Sequence, residues 1–114
     1  MYRIVWNNVT GYWSYNWVPS FVYTAKLWFN GRDKATAFIT ELQAEPWIPN
    51  QDLKVTSMDE QFKSMTLKRL KNNLAYAKKT GMPRAYLWGA EWWYWLEVQG
   101  INEFSEYIKN LKKE

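Results

Sequence analysis

Two short apolar runs, Ala35-Thr36-Ala37-Phe38-Ile39-Thr40 and Arg84-Ala85-Tyr86-Leu87-Trp88, flank the strongest helical pattern in the chain. Both have the aromatic and β-branched content of a strand. The helix between them carries signals at each end. Ser57 and Glu60 have capping-box spacing, and Gly81 followed by Met82-Pro83 stops the pattern. Phe62, Met65, Leu70, Leu74 and Ala77 mark its apolar side, with Lys63, Lys68, Arg69, Lys71, Lys78 and Lys79 largely opposite. A strand, a helix and a strand in this order form a crossover, so the two strands run parallel. The chain is therefore expected to be α/β.

The flanks add three more segments. Tyr2 to Trp6 is a β-prone run that passes into a loop rich in Asn, Gly, Tyr and Trp. Pro19 is placed as the first helical residue of a segment ending near Asn30, with Val18, Val22, Ala25 and Phe29 as its stripe and Gly31 as its stop. The first strand ends at Glu41-Leu42-Gln43, and a loop with two prolines runs from Ala44 to Val55. After the strongly aromatic Gly89–Trp95 stretch, Asn102 can cap a last helix with Phe104, Ile108 and Leu111 inward. The expected strands are 35–41 and 84–89, and the expected helices 18–30, 57–80 and 102–112. Two strands, a stub and three helices cannot cover both faces of a parallel sheet. Residues 1–114 thus read as a single incomplete domain.

What chemistry the chain can host follows from what it lacks. With no cysteine and no histidine, thiolate nucleophiles, imidazole bases and the usual transition-metal sites are excluded. Carboxylates, lysines and tyrosines remain, together with nine Trp and eight Tyr. No cofactor or metal is expected. The uncharged stretch from Ile4 to Ala25 is interrupted by Asn7, Asn8, Ser14, Asn16 and Pro19, which argues against a membrane span. Asn8-Val9-Thr10 fits a glycosylation sequon, but Met1 to Trp6 has no export-signal character, so localisation stays open.

Ligands of parallel α/β folds bind at the carboxyl ends of the strands. Here those ends are Glu41-Leu42-Gln43-Ala44-Glu45-Pro46-Trp47 and Trp88-Gly89-Ala90-Glu91-Trp92, each setting a carboxylate beside tryptophan. Indole faces stack on sugar C–H surfaces, and Glu and Gln bond hydroxyls. Glycoside hydrolysis needs two carboxylates and neither histidine nor cofactor. Nucleic acid is the weaker reading: the net charge is only +4, and Glu41, Glu45 and Glu91 beside the aromatics would repel phosphate.

Phe38-Ile39-Thr40-Glu41 and Tyr86-Leu87-Trp88-Gly89 resemble the seventh and eighth strand ends of clan-A retaining glycoside hydrolases, which are (β/α)8 barrels. The resemblance implies a partial TIM barrel comprising roughly the last two to three βα units. It implies Glu41 as the catalytic nucleophile and Trp88 as a sugar platform. Tyr2 is matched to the family's tyrosine that bonds the nucleophile, and the strand-exit residues Gln43, Glu45, Trp47, Glu91 and Trp92 complete the candidate substrate-binding set. The acid/base glutamate of such enzymes ends strand four, outside this chain, so the chain alone is expected to be an inactive fragment. Its expected partner is a carbohydrate, with neither nucleic acid nor membrane, and self-association is expected through exposed barrel edges. A non-catalytic carbohydrate-binding module using Trp47 and Trp88 is the alternative.

Overall fold

The computed structural model describes residues 1–49 and 52–111. The elements are β1 (Ile4–Asn7), β2 (Gly11–Ser14), α1 (Phe21–Phe29), a short 3-10 turn (Lys34–Thr36), β3 (Ile39–Gln43), α2 (Met58–Ser64), α3 (Leu67–Lys79), β4 (Ala85–Trp88), α4 (Ala90–Val98) and α5 (Glu103–Leu111). β3 and β4 pair in parallel, as the crossover requires, while β1 and β2 form an antiparallel hairpin. The fold is mixed α/β with two two-stranded sheets among the described residues.

The first run continues further than its β-prone residues suggest. Asn7 accepts from the backbone N–H groups of Val9 and Thr10 and donates to the Thr10 hydroxyl. Gly11, at φ 71°, then returns the chain as β2. The expected loop is therefore a hairpin. Pro19 lies before the next helix rather than in it: Ser20 is the N-cap, and α1 starts at Phe21. No residue of α1 is fully buried.

The helix expected over 57–80 is two helices. Ser57 caps the first through the Glu60 N–H, but the Glu60 carboxylate bonds Tyr12 and Lys63 instead of closing the box. Met65 is extended, and Thr66 caps the second helix through the Arg69 N–H. The spacing of the stripe explains the break. From Met65 to Leu70 it steps five residues, about 140° around one helix instead of the roughly 40–60° of a four- or three-residue step, so one continuous helix would turn the two side chains to different faces. Two helices joined at a β-conformation residue can, and Met65 and Leu70 are 1% and 0% exposed. The last helix matches its expected span to Leu111, and its expected end at 112 lies outside the described residues. Gly89–Trp95, left without an element by its composition, opens α4.

Two apolar clusters hold these parts together. Ile39 and Leu42 of β3 pack on Ala77 of α3. Trp92, Leu96 and Phe104 of α4 and α5 meet Met65, Leu70 and Ala44. Trp92 and Phe104 cross edge to face at 4.8 Å, with Phe62 stacked on Phe104 at 6.4 Å. The strand expected over 35–41 starts later, at Ile39, whose side chain faces α3, and Ala35 sits in the 3-10 turn before it.

A β-bulge interrupts the pair after Ile39. Ile39 pairs with Ala85 and Leu42 with Leu87, so Thr40 and Glu41 together oppose Tyr86. The extra residue brings Leu42 to the same side as Ile39. It also breaks the alternation at Glu41, leaving that side chain exposed at the end of the pair. On the far face Phe38, Tyr86 and Trp88 are at least half exposed, and the whole chain is a slab measuring 45 × 41 × 18 Å.

Candidate functional site

Parallel pairing sends both strand exits to the same edge of the sheet. The β3 exit carries Glu41 through Trp47, and the β4 exit carries Trp88 through Trp92. Between them lies a cleft of about 310 Å3 walled by Tyr2, Glu45, Trp47, Leu53, Glu91 and Trp92. A second hollow of about 270 Å3 shares Glu45 and Glu91 and adds Trp88 and Gly89. Glu45 and Glu91 thus stand at the junction of both.

Each wall is fixed by contacts the local sequence supplies. Ser64, the last residue of α2, accepts from the Trp47 N–H at 2.9 Å and donates to the Trp47 carbonyl at 3.1 Å. The Trp47 ring then meets Tyr2 edge on, at 5.5 Å between centroids and 85° between planes. Gly89 lets the second exit approach the first. At φ 145° it lies where only glycine is comfortable, and a Cβ there would come within 2.7 Å of the Ala44 carbonyl oxygen and 3.0 Å of Glu45 Cβ. The Trp93 indole N–H donates to that same Ala44 carbonyl at 2.8 Å.

The electrostatics follow from this crowding. Burial pushes the Glu45 carboxyl above its ordinary range; the Trp88 indole beside it pulls the other way, and the nearby charge of Glu91 adds to the rise. Burial also raises the Tyr2 phenol, helped by the charges of Glu45 and Glu41. Tyr2 therefore senses both glutamates of the β3 exit. A carboxyl that stays protonated above the usual carboxylate range can donate a hydrogen bond to a hydroxyl or a glycosidic oxygen.

The raised Glu45 gives a pH dependence of defined sign. The folded state holds this proton more tightly than the unfolded chain, whose carboxyl titrates near 4.5. Its contribution to stability is intact below that value and is lost as pH rises through the folded value. Glu45→Gln is expected to remove this loss, so the midpoint difference between variant and parent should grow from pH 4 to pH 7 in urea titrations. An unchanged difference across that range would contradict the assignment.

The sequence-derived set is brought together only in part. Tyr2, Glu45, Trp47 and Glu91 line the cleft, and Trp88, half exposed, flanks the adjoining hollow. Glu41 is exposed at the bulge and lines neither space. Gln43 is fully buried: its Oε1 accepts from the N–H groups of Arg3 and Ile4, and its Nε2 donates to the carbonyls of Ile4 and Glu45. Its amide is spent on holding residues 3–4 against β3, not on a ligand. Trp92 contributes a wall but is 1% exposed, with its indole N–H on Gln61 Oε1 at 2.8 Å, and so belongs to the core. Ile48, Leu53 and Gly89 were not in the set. For Gly89 the signal was available, since a lone glycine between a strand and a helix marks close backbone approach.

Among the described residues no cluster of three acidic side chains could hold a metal ion, and no helix is long and apolar enough to cross a membrane. Compared with family models, curated proteins and solved structures, the chain matches none.

Proposed function

We propose that this chain is the carboxyl-terminal part of a (β/α)8-barrel retaining glycoside hydrolase, carrying the nucleophile Glu41 and a sugar subsite built on Trp88, Trp47 and Tyr2. The observation that carries the reading is the parallel β3–β4 pair, whose two exits deliver carboxylates and indoles to one edge. Two further features favour it. Met1 donates its N–H to the Glu41 carbonyl and accepts from the Gln43 N–H, which is the hydrogen-bonding pattern of a third parallel strand beside β3. The bulge at Thr40–Glu41 is the kind of irregularity that re-aims a side chain beside an active site.

In this mechanism Glu41 attacks the anomeric carbon and the glycosidic bond breaks. The leaving oxygen takes its proton from an acid/base glutamate supplied by the rest of the barrel, about 5–5.5 Å from the nucleophile. Water then hydrolyses the glycosyl-enzyme bond, giving its proton back to that same residue. Glu45 and Glu91 bond sugar hydroxyls, Glu45 as a donor when protonated.

Sugar binding is the direct test. Neutral oligosaccharides titrated into the chain should perturb the Trp88 and Trp47 indole N–H resonances, and Trp88→Ala should weaken binding by about tenfold, the scale of one lost stacking platform. Indole resonances unmoved by every glycan class would overturn the reading. A non-catalytic binding module is the second reading, favoured by the absence of Glu41 from the cleft walls. It requires the same binding with no covalent chemistry at Glu41.

The same reading determines behaviour in solution. The outer edge of β4 pairs with no strand among the described residues, and Phe38, Tyr86 and Trp88 stand on an uncovered face. The chain alone is expected to associate with a second copy through this edge and face. Light scattering behind a sizing column should give at least twice the 13.8 kDa chain mass. A monomer at high concentration with a cooperative melt would contradict it.

A further inference from the structure

On the other side of residues 1–4 lies a groove unrelated to the carboxylate cleft. Tyr2 lines that cleft, whereas Arg3, the next residue, lines the groove between the hairpin and α3. Arg3 is 7% exposed. Its guanidinium lies 3.5 Å from the centroid of the Tyr76 ring, and two of its nitrogens donate to Asn16 Oδ1 at 3.3 and 3.1 Å. A ring and a neutral amide are its partners. Among the described residues the ion pairs are Lys63–Glu60 and Lys109–Glu97, so no carboxylate neutralises this nearly buried cation.

The groove adds positive charge instead of balancing it. One part, about 330 Å3, is lined by Arg3, Asn16, Arg69, Asn72, Tyr76 and Lys79 and by no acidic side chain. A second part of about 460 Å3 shares Asn16, Arg69 and Asn72 with it and adds Lys63 and Lys68. Of these, Lys63 is already engaged by Glu60. A desolvated cation with further cations beside it is costly unless an anion completes the set. Guanidinium groups match the geometry of tetrahedral oxyanions, and several cations favour a doubly charged one.

We propose that this groove binds a phosphate or sulfate group, with Arg3 at its base and Arg69 and Lys79 closing on the anion from α3. Charge therefore divides by side: carboxylates on the cleft flank of residues 1–4 and cations on the α3 flank. The site is independent of the glycosidase reading.

The test is calorimetric titration of inorganic phosphate and, separately, inorganic sulfate into the chain at constant ionic strength, with sodium chloride as reference. Saturable one-to-one binding is expected, weakened at least tenfold in Arg69→Gln and to a smaller degree in Lys79→Gln. Both replacements lie on the helix surface and should leave the circular dichroism spectrum unchanged, whereas Arg3→Gln alters a nearly buried side chain and serves only if its spectrum is native. Tighter phosphate binding assigns the ligand to phosphoryl esters, and tighter sulfate binding to sulfate esters. Heats equal to those of chloride, or an Arg69→Gln variant that binds both anions like the parent, would overturn the proposal.

Discussion

Trp92→Ala is expected to remove about 3–5 kcal/mol of stability, the cost of deleting a fully buried aromatic ring. The ring is 1% exposed, crosses Phe104 and Phe62 edge to face, and sits where α2, α4 and α5 converge. Deletion leaves a cavity among these three helices and strips Gln61 Oε1 of its indole donor. Small domains hold only about 5–15 kcal/mol in total, so much of the variant should be unfolded at modest urea concentrations. Trp92→Phe separates the two losses. It keeps most of the packing and should cost about 1–3 kcal/mol, chiefly for the unpaired Gln61 oxygen. Urea titration followed by far-ultraviolet circular dichroism measures both. A Trp92→Ala midpoint close to the parent's would mean that Trp92 is not part of the core and would return it to the candidate sugar-binding residues.

The second large effect belongs to Glu41. In a protein where this chain completes its barrel, Glu41→Gln should lower turnover by at least about a thousandfold, near 4 kcal/mol of barrier. Glutamine keeps the shape of the side chain but cannot form the glycosyl ester. Glu41 is exposed and is absent from both apolar clusters, so the variant should fold like its parent. Comparable losses in Glu45→Gln and none in Glu41→Gln would transfer the nucleophile to the cleft wall. The steady-state rate on a responsive aryl glycoside, with a melting curve for each variant, distinguishes these results.

Local signals made part of the fold legible in the sequence. The parallel β3–β4 pair followed from an interposed helix, because such a crossover leaves parallel pairing as the common outcome. Gly31 and Gly81, both with positive φ, marked the ends of α1 and α3. Other features depend on contacts distant in sequence. The hairpin had its turn in Asn7–Gly11, but the aromatic density around it resembled a loop more than alternating strands. α4 was hidden because Trp and Tyr lie on every side of it, leaving no stripe to read. Conversely, the break at Met65 is legible in the sequence as a slip in apolar spacing, although the caps at Ser57 and Gly81 alone suggest one long helix.

The site was legible as residue types and less so as geometry. Glu45, Trp47 and Glu91 meet because two parallel strands end together, whereas Tyr2 joins them through the bonds that hold the first residues to β3. The fate of Gln43 was not readable. Its amide is consumed by residues 3 and 4, about forty positions away, and no local pattern announces such a contact. The bulge was equally hidden, since pairing register is a property of two strands. It puts Leu42 on the same side as Ile39 and leaves Glu41 outside the cleft walls.

Covalent trapping tests the central claim most directly. A panel of 2-deoxy-2-fluoroglycosyl fluorides supplies a leaving group that departs without a proton, so the first step needs no acid/base residue. The fluorine at C2 slows the second step, and the glycosyl-enzyme accumulates. Intact mass should rise by one glycosyl unit with a responsive sugar, peptide mapping should assign the adduct to Glu41, and Glu41→Gln should remain unlabelled. No adduct with any sugar of the panel, or an adduct on Glu45 or Glu91 while Glu41 stays free, would contradict the account.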